Sequence, residues 1–353
     1  MKAGLMYGPN DIRIEEIPEP TIDAGGLLLK VEAVGLCGSD IRNLTTDSCA
    51  GKYPHIYGHE VVGTVAQVGA LCTKFQPGQR LYVYPGVPCL HCQYCRAGLS
   101  NLCANYRTYD QTQGGFAQYM AVPSWGVEGP NIYPIPDDVP FVQAVMSEPL
   151  SSVYACQENV QVRLGQTVVI IGAGPIGCLH AEVARMRGAS QVIMIELNEQ
   201  RLQESQAFGV THMINSQTQD PIQAVHELTD QQGADVVISA NPSTKAQTSA
   251  VYLVKPNGTL VFFGGVAKKA LTQIDTNYLH YHGIWVYGHY GANTLQVKKA
   301  FDMVVSHQIN AEKFISQTMP LDQLATAIHL MKTGQANKIV LQPWADDTKG
   351  KEG

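Results

Sequence analysis

Four cysteines, Cys89, Cys92, Cys95 and Cys103, stand in the spacing C-x-x-C-x-x-C-x7-C. Thiolates this close together can converge on one tetrahedral Zn²⁺ and leave no coordination position open. Such a site braces a lobe and performs no reaction. Other residues able to ligate zinc are scattered: Cys37 in Gly35-Leu36-Cys37-Gly38-Ser39-Asp40, His59 and Glu60 in Gly58-His59-Glu60, and Glu148 in Ser147-Glu148-Pro149. Cys, His and carboxylate groups are all competent ligands, and three of them plus one exchangeable position make a catalytic zinc site. Taken singly, each has a plainer reading: a buried small thiol, a hydrogen-bonded imidazole, a Glu-Pro helix start.

Gly172-Ala173-Gly174-Pro175-Ile176-Gly177 reads G-x-G-x-x-G, after an apolar run, Thr167 to Ile171, and before a helical pattern through Ala181, Ala184 and Met186. In that context the first glycine permits the turn, the second lets backbone approach a pyrophosphate, and the third permits close helix–strand packing. The helix N-terminus favours the phosphate charge. Glu196 ends the next apolar run, 19 residues after Gly177. An acid there can accept hydrogen bonds from both ribose hydroxyls of NAD and would repel the 2′-phosphate of NADP. Arg201 is the nearby cation that would soften this repulsion, and its expected place is the following helix.

The elements that must hold these groups change character near residue 150. Before it come short β-like runs with Gly/Pro punctuation, at Leu27–Val34, Val61–Val68, Arg80–Tyr84 and Phe116–Val122, which suggest a small barrel or sandwich. After it, strand runs at Thr167–Ile171, Gln191–Ile195, Asp235–Ser239 and Gly258–Phe263 alternate with helical patterns such as Arg201 to Phe208. That rhythm predicts a doubly wound parallel sheet. The aromatic, β-prone segment Leu279 to Tyr290 reads as an edge strand. The tail after Trp344 is expected to fray.

The chain has 353 residues, 45% hydrophobic and 15% charged, which is ample for two domains. Its formal net charge is −6 with dispersed Lys and Arg, so no basic stripe suits a nucleic-acid backbone. The N-terminus lacks the pattern of a signal peptide. The run from Thr167 to Ala184 is broken by Gly172, Gly174, Pro175 and Gly177 and makes a poor membrane span. Nine cysteines, an odd count, fit a reducing, cytoplasmic setting.

With these residues assembled, the chain resembles the zinc-dependent medium-chain dehydrogenases, in their sorbitol (L-iditol) dehydrogenase-like branch, over essentially its whole length. The resemblance implies a two-domain α/β fold. Residues 1–152 and 289–353 would form a GroES-like β-rich catalytic domain, with a zinc lobe over about 86–108, and residues 153–288 a Rossmann NAD-binding domain. It implies one structural zinc on Cys89, Cys92, Cys95 and Cys103. It implies one catalytic zinc held or approached by Cys37, His59 and Glu148, with Glu60 a direct ligand in some relatives and an exchangeable one in others. Which of Glu60 and Glu148 binds directly stays open. Ser39 matches a proton-relay position, for which a hydroxyl that both accepts and donates is suited. Cys49, Cys72, Cys156 and Cys178 match no ligand position, and His91 and His180 are read as structural. His55 is a candidate pocket residue.

The activity implied is reversible, NAD-linked oxidation of a secondary alcohol of a polyol to a ketose, by a homodimer or homotetramer. Polyol-phosphate or L-threonine 3-dehydrogenase-like activity is the alternative. Animal sorbitol dehydrogenases carry an Arg-Tyr pair where this chain has Gly288-His289-Tyr290-Gly291, so His289 stands in place of a polyol-positioning Arg. Arg42 and Arg107 are the candidate cations for a phosphorylated substrate. Relatives that serve as binding proteins typically lack the zinc ligands, and this chain has the full set.

Overall fold

The computed structural model describes residues 1–46, 51–109 and 113–345. Cys49 and the charged tail lie outside the described residues. The chain divides into two compact units, Met1–Ser151 with Ala292–Gly353, and Ser152–Gly291.

The first unit is built on the strand Leu27–Gly35, whose apolar residues are almost all buried. It lies in a mixed sheet in the order Ile132–Pro134, Arg80–Val83, Glu60–Val68, Leu27–Gly35, Ile339–Gln342, Gln317–Pro320, with Tyr119–Val122 also paired to Leu27–Gly35. A smaller sheet joins Asp11–Glu16, Lys2–Gly8 and His55–Ile56. Met6, Leu27, Leu29 and Phe116 share one core with Leu321, Leu324, Ile339 and Leu341. The two chain ends are thus joined by burial, at about 1.5–3 kcal/mol for each large side chain removed from water. Register on this sheet matters for chemistry. On one side Gly35 is opposite Glu60 and on the other it is opposite Val340, so Glu60 and Lys338 arrive on either side of Gly35.

The second unit is a six-stranded parallel sheet in the order His212–Asn215, Gln191–Glu196, Thr167–Ile171, Ala234–Ser239, Val254–Phe262, Trp285–Gly288. The strand order reverses beside Thr167–Ile171, which places the Gly-rich turn at the switch point where such sheets bind ligands. The central strands Thr167–Ile171, Gln191–Glu196 and Ala234–Ser239 are largely apolar and buried along their length, as parallel strands covered on both faces are.

Several expected elements differ at their ends. The helix expected over Arg201 to Phe208 is α-helical from Glu199 to Ser205 and then tightens to a 3₁₀ turn, Gln206–Phe208, closed by left-handed Gly209. The strand expected from Phe116 starts at Tyr119, since Ala117 instead bridges to Ala3. The segment Leu279 to Tyr290 is only partly strand. Asp275 accepts from the N–H of Tyr278 and caps a helix, Thr276–His282, so Leu279 to His282 are helical. Gly283 then turns the chain left-handed into the edge strand Trp285–Gly288. No helix of the described residues is long and apolar enough to cross a membrane.

Candidate functional site

In the first unit, Cys37 precedes the helix Gly38–Thr45 and its N–H donates to Asp40 Oδ2 at 3.1 Å. Asp40 Oδ1 accepts from His59 Nδ1 at 3.0 Å, with Asp40 only 1% exposed. A ring that gives its Nδ1 proton to a carboxylate keeps Nε2 as the unprotonated ligand atom, the usual arrangement behind a metal-bound histidine. Ser39 Oγ is 3.4 Å from that Nε2. The Cys37 thiol, a ring nitrogen of His59 and a carboxylate oxygen of Glu60 all lie within 4.8 Å of one another.

Glu60 is fully buried, and Lys338, 2% exposed, donates to its Oε2. Lys338 also donates to the carbonyl of Leu36 at 3.3 Å. A Cβ at position 35 would stand 1.8 Å from Glu60 Oε2 and 2.7 Å from Val145 Cγ1, so any larger residue there would displace the carboxylate. Glu148 begins the helix Ser147–Asn159 and falls outside the set of mutually close ligand atoms. Of the two carboxylates left open by the sequence, Glu60 is the one brought to Cys37 and His59.

Burial alone would lower the pKa of His59, but the Asp40 carboxylate, and then Cys37, raise it well above the ordinary imidazole value. The carboxyl of Glu148 is pushed up to about 7, first by burial, with Glu60 and Asp40 adding to the rise and His59 and Lys338 opposing it. The carboxyl groups of Asp40, Glu60 and Glu148 therefore share two cationic neighbours, Lys338 and, without a metal, the protonated His59 ring. Glu60 Oε1 is buried with no hydrogen-bond partner. A buried orphan acceptor is costly, and a divalent cation between Cys37, His59 and Glu60 would answer it. The donor set fits zinc.

The four lobe cysteines also converge, with their sulfurs within 4.8 Å of one another. The N–H groups of Cys89 and Asn105 donate to Cys103 Sγ at 3.2 and 3.3 Å. Backbone donors, His91 N–H foremost, lower the Cys89 thiol to about 5, while burial raises Cys95 to about 12. A cluster that cannot ionise uniformly by itself suits a metal that takes all four as thiolates. His91 is turned away, with Nδ1 2.7 Å from the Cys89 carbonyl.

In the second unit, the turn after Thr167–Ile171 opens the helix Pro175–Met186, with Gly174 as its N-cap. A Cβ on Gly177 would lie 1.7 Å from the Gly172 carbonyl, whereas one on Gly174 would meet nothing within 4 Å. The third glycine is thus a packing requirement and the second leaves open space. Pro175 and Ile176 form the first turn, where the fixed φ of proline suits the helix start. Glu196 ends its strand, and Arg201 lies on the next helix, where its N–H donates to the Asn198 side chain at 3.0 Å.

His180, on the same helix as Gly177, is fully buried, and Gln157 Nε2 donates to its carbonyl at 2.7 Å and to Nδ1 at 3.2 Å. Burial first, and His289 second, lower it to about 3. The unfolded chain therefore binds a proton below about pH 6.5 that the folded chain refuses, so stability falls as pH falls. Between about pH 7 and pH 5 we expect a loss of about 2 kcal/mol from this residue, read from urea midpoints, and a shallower dependence in His180→Asn. Equal slopes in the two proteins would remove His180 as the cause.

Other expected candidates are placed elsewhere. His289 Nε2 is 3.1 Å from Ser152 Oγ, and its ring stacks on Phe263 with centroids 5.0 Å apart. His55 lies in a two-residue strand paired with Leu5 and Met6, its ring edge-on to Tyr57. Arg107 lies over the Trp125 ring at 5.6 Å, and Arg42 is exposed in the last turn of its helix. Asp40 and Lys338 were not picked out by sequence reasoning. Asp40 carried a signal, its place three residues after an N-cap; Lys338 carried none.

Comparison with known proteins adds to this geometry. Residues 23–137 match the alcohol dehydrogenase GroES-like domain, and residues 175–306 match zinc-binding dehydrogenase. The chain is 30% identical to sorbitol dehydrogenase of Bacillus subtilis (strain 168) over 355 residues, covering 97% of each protein. It is 31% identical to L-threonine 3-dehydrogenase of the same organism over 338 residues, covering 94% of each. Among solved structures, a protein of Sinorhizobium meliloti 1021 described as a zinc-binding dehydrogenase and bound to NADP superposes with a TM-score of 0.89 at 27% identity, covering 97% of this chain and 99% of that one.

Proposed function

Because the chain belongs to the family of zinc-binding alcohol dehydrogenases with a GroES-like domain, and is a zinc-dependent alcohol oxidoreductase, we propose that it oxidises a secondary alcohol of a polyol reversibly to the ketone with NAD as hydride acceptor. The observation that carries this reading is the convergence of Cys37, His59 and Glu60, with Asp40 fixing the imidazole from behind. Bound at these residues, zinc supplies Lewis acidity to the substrate hydroxyl while the nicotinamide accepts the hydride. Cys37, His59 and Glu60 hold the metal. Asp40 sets the tautomer and angle of His59. Ser39 Oγ, partly exposed beside His59, would take the hydroxyl proton and give its own to solvent water. Glu148, with its carboxyl at about 7, can hold or release a proton at neutral pH. Cys89, Cys92, Cys95 and Cys103 hold the second, structural zinc.

Ser39→Ala is expected to lower kcat by about a hundredfold or more at full zinc content. Unchanged turnover would remove Ser39 from the mechanism.

The polyol reading is supported by the sorbitol dehydrogenase relative. The second reading, a β-hydroxy amino acid, is supported by the threonine dehydrogenase relative. NAD is favoured over NADP by Glu196, whose charge opposes a 2′-phosphate. A panel of polyols, polyol phosphates and L-threonine, each with NAD⁺ and NADP⁺ and followed by nicotinamide absorbance, separates these readings. We expect the highest kcat/KM with a polyol and NAD⁺. Turnover of L-threonine with no polyol turned over would overturn the substrate, and a preference for NADP⁺ would overturn the role of Glu196. The exposed Trp285 and Val286 on the edge strand Trp285–Gly288 suit pairing with a second copy. Cysteines that serve as zinc ligands suit a reducing cytoplasm, where thiols are kept from disulfides.

A further inference from the structure

We propose that Glu196 is a positioning residue for the Gly-rich loop as well as a partner of the ribose: its carboxylate ties the N–H of Ala173 to the end of the strand Gln191–Glu196 and sets the pyrophosphate cradle before the dinucleotide arrives. The proposal rests on the dinucleotide reading given above.

Glu196 Oε2 accepts from Ala173 N–H at 2.8 Å. Ala173 is fully buried, so without Glu196 that amide would be an orphan donor out of reach of water. The other side of the same residue is also held, because the Cys178 thiol donates to the Ala173 carbonyl at 3.6 Å. The preceding N–H, of Gly172, donates to the Ile195 carbonyl at 2.8 Å. The first two residues of the loop are therefore anchored to the neighbouring strand, one by backbone and one by the carboxylate. Gly174, the N-cap of the helix Pro175–Met186, follows directly in the chain.

Glu196 Oε1 is occupied too, accepting from Leu197 N–H at 2.8 Å and Asn198 N–H at 3.0 Å. A carboxylate has about four acceptor positions. With three backbone donors in place, there is room for about one more. Glu196 can then take one ribose hydroxyl while holding the loop, not both as the sequence suggested. Exchanging Glu196 to admit a 2′-phosphate would release Ala173 at the same time.

The test uses 2′,3′-dideoxy-ADP, which carries the diphosphate but no ribose hydroxyl for Glu196 to bind. Its affinity for the zinc-loaded protein is measured by titration calorimetry for wild type, Glu196→Gln and Glu196→Asp. Amide exchange of the peptide spanning 172–175 is followed alongside. A glutamine keeps one acceptor oxygen, so it can serve Ala173 N–H only by turning its NH2 against the N–H groups of Leu197 and Asn198, or the reverse. Aspartate keeps the charge but withdraws it by one methylene. Both variants are expected to bind the probe about tenfold more weakly, with faster exchange at Ala173, the scale of one lost charge-assisted hydrogen bond. The loss is expected even though Glu196→Gln removes a negative charge near the diphosphate, which by itself would tighten binding. Affinity equal to or above wild type in both variants overturns the loop role and leaves the dinucleotide site standing. Failure of wild type to bind the probe overturns the dinucleotide reading itself.

Discussion

His59→Ala is expected to lower kcat/KM by about a thousandfold or more and to reduce the zinc content from two ions per chain to one. His59 is one of three ligand atoms within 4.8 Å of one another, and it is the one whose ring is set from behind by a buried carboxylate. Its removal leaves a thiol and one carboxylate, too few for a stable open zinc site. The lobe cysteines form a separate cluster and should keep their ion. Elemental analysis beside steady-state kinetics therefore reads both sites at once. Asp40→Asn should act through His59 and weaken zinc binding at the Cys37, His59 and Glu60 site about 10- to 100-fold. Full activity in His59→Ala would sink the assignment of Cys37, His59 and Glu60 as the catalytic metal site.

The second large effect is on stability. Glu60 and Lys338 are both almost completely buried and pair with each other. Breaking a buried ion pair from one side leaves a charge without a partner, at about 3–5 kcal/mol, whereas replacing both groups with apolar ones is often neutral. Lys338→Met should therefore shift the urea midpoint of the chelated protein strongly downward. The double variant Glu60→Met with Lys338→Met should recover most of that loss. Such a cost is a large part of the about 5–15 kcal/mol by which proteins are stable. A single variant as stable as wild type would mean that the pair is not what holds this corner of the sheet. Chelated protein is the right sample, because a metal ion would itself take up the charge of Glu60.

The parts legible in the sequence were those made by neighbours in the chain. The lobe needs only a short loop to bring Cys89, Cys92, Cys95 and Cys103 together. The dinucleotide loop is a strand, a turn and a helix in direct succession, so Gly172, Gly174 and Gly177 reveal their tasks by position alone. The alternation of apolar runs and helical patterns gave the parallel sheet for the same reason. Where a cap competed with an apolar run, as at Asp275 before Leu279 to His282, β-propensity misled because the local hydrogen bond won. The span expected of Arg201 to Phe208 likewise overran, since the last turn tightened before Gly209.

What the sequence by itself determined was the inventory: two sets of zinc-competent residues, a dinucleotide turn, and the chemistry they could share. The tertiary structure decided which of them meet. Lys338 lies 278 residues from Glu60 and reaches it because Leu27–Gly35 pairs with Glu60–Val68 on one side and Ile339–Gln342 on the other. Strand register puts Glu60 opposite Gly35, where the absence of a side chain leaves space for the carboxylate, and brings the strand after Lys338 to the other side of Gly35. The choice of Glu60 over Glu148 beside Cys37 and His59, and the second task of Glu196 at Ala173, are likewise matters of register and reach. Pairing across a sheet depends on which strands meet and in what alignment, and that is set by burial of the whole core rather than by any residue's neighbours in the chain.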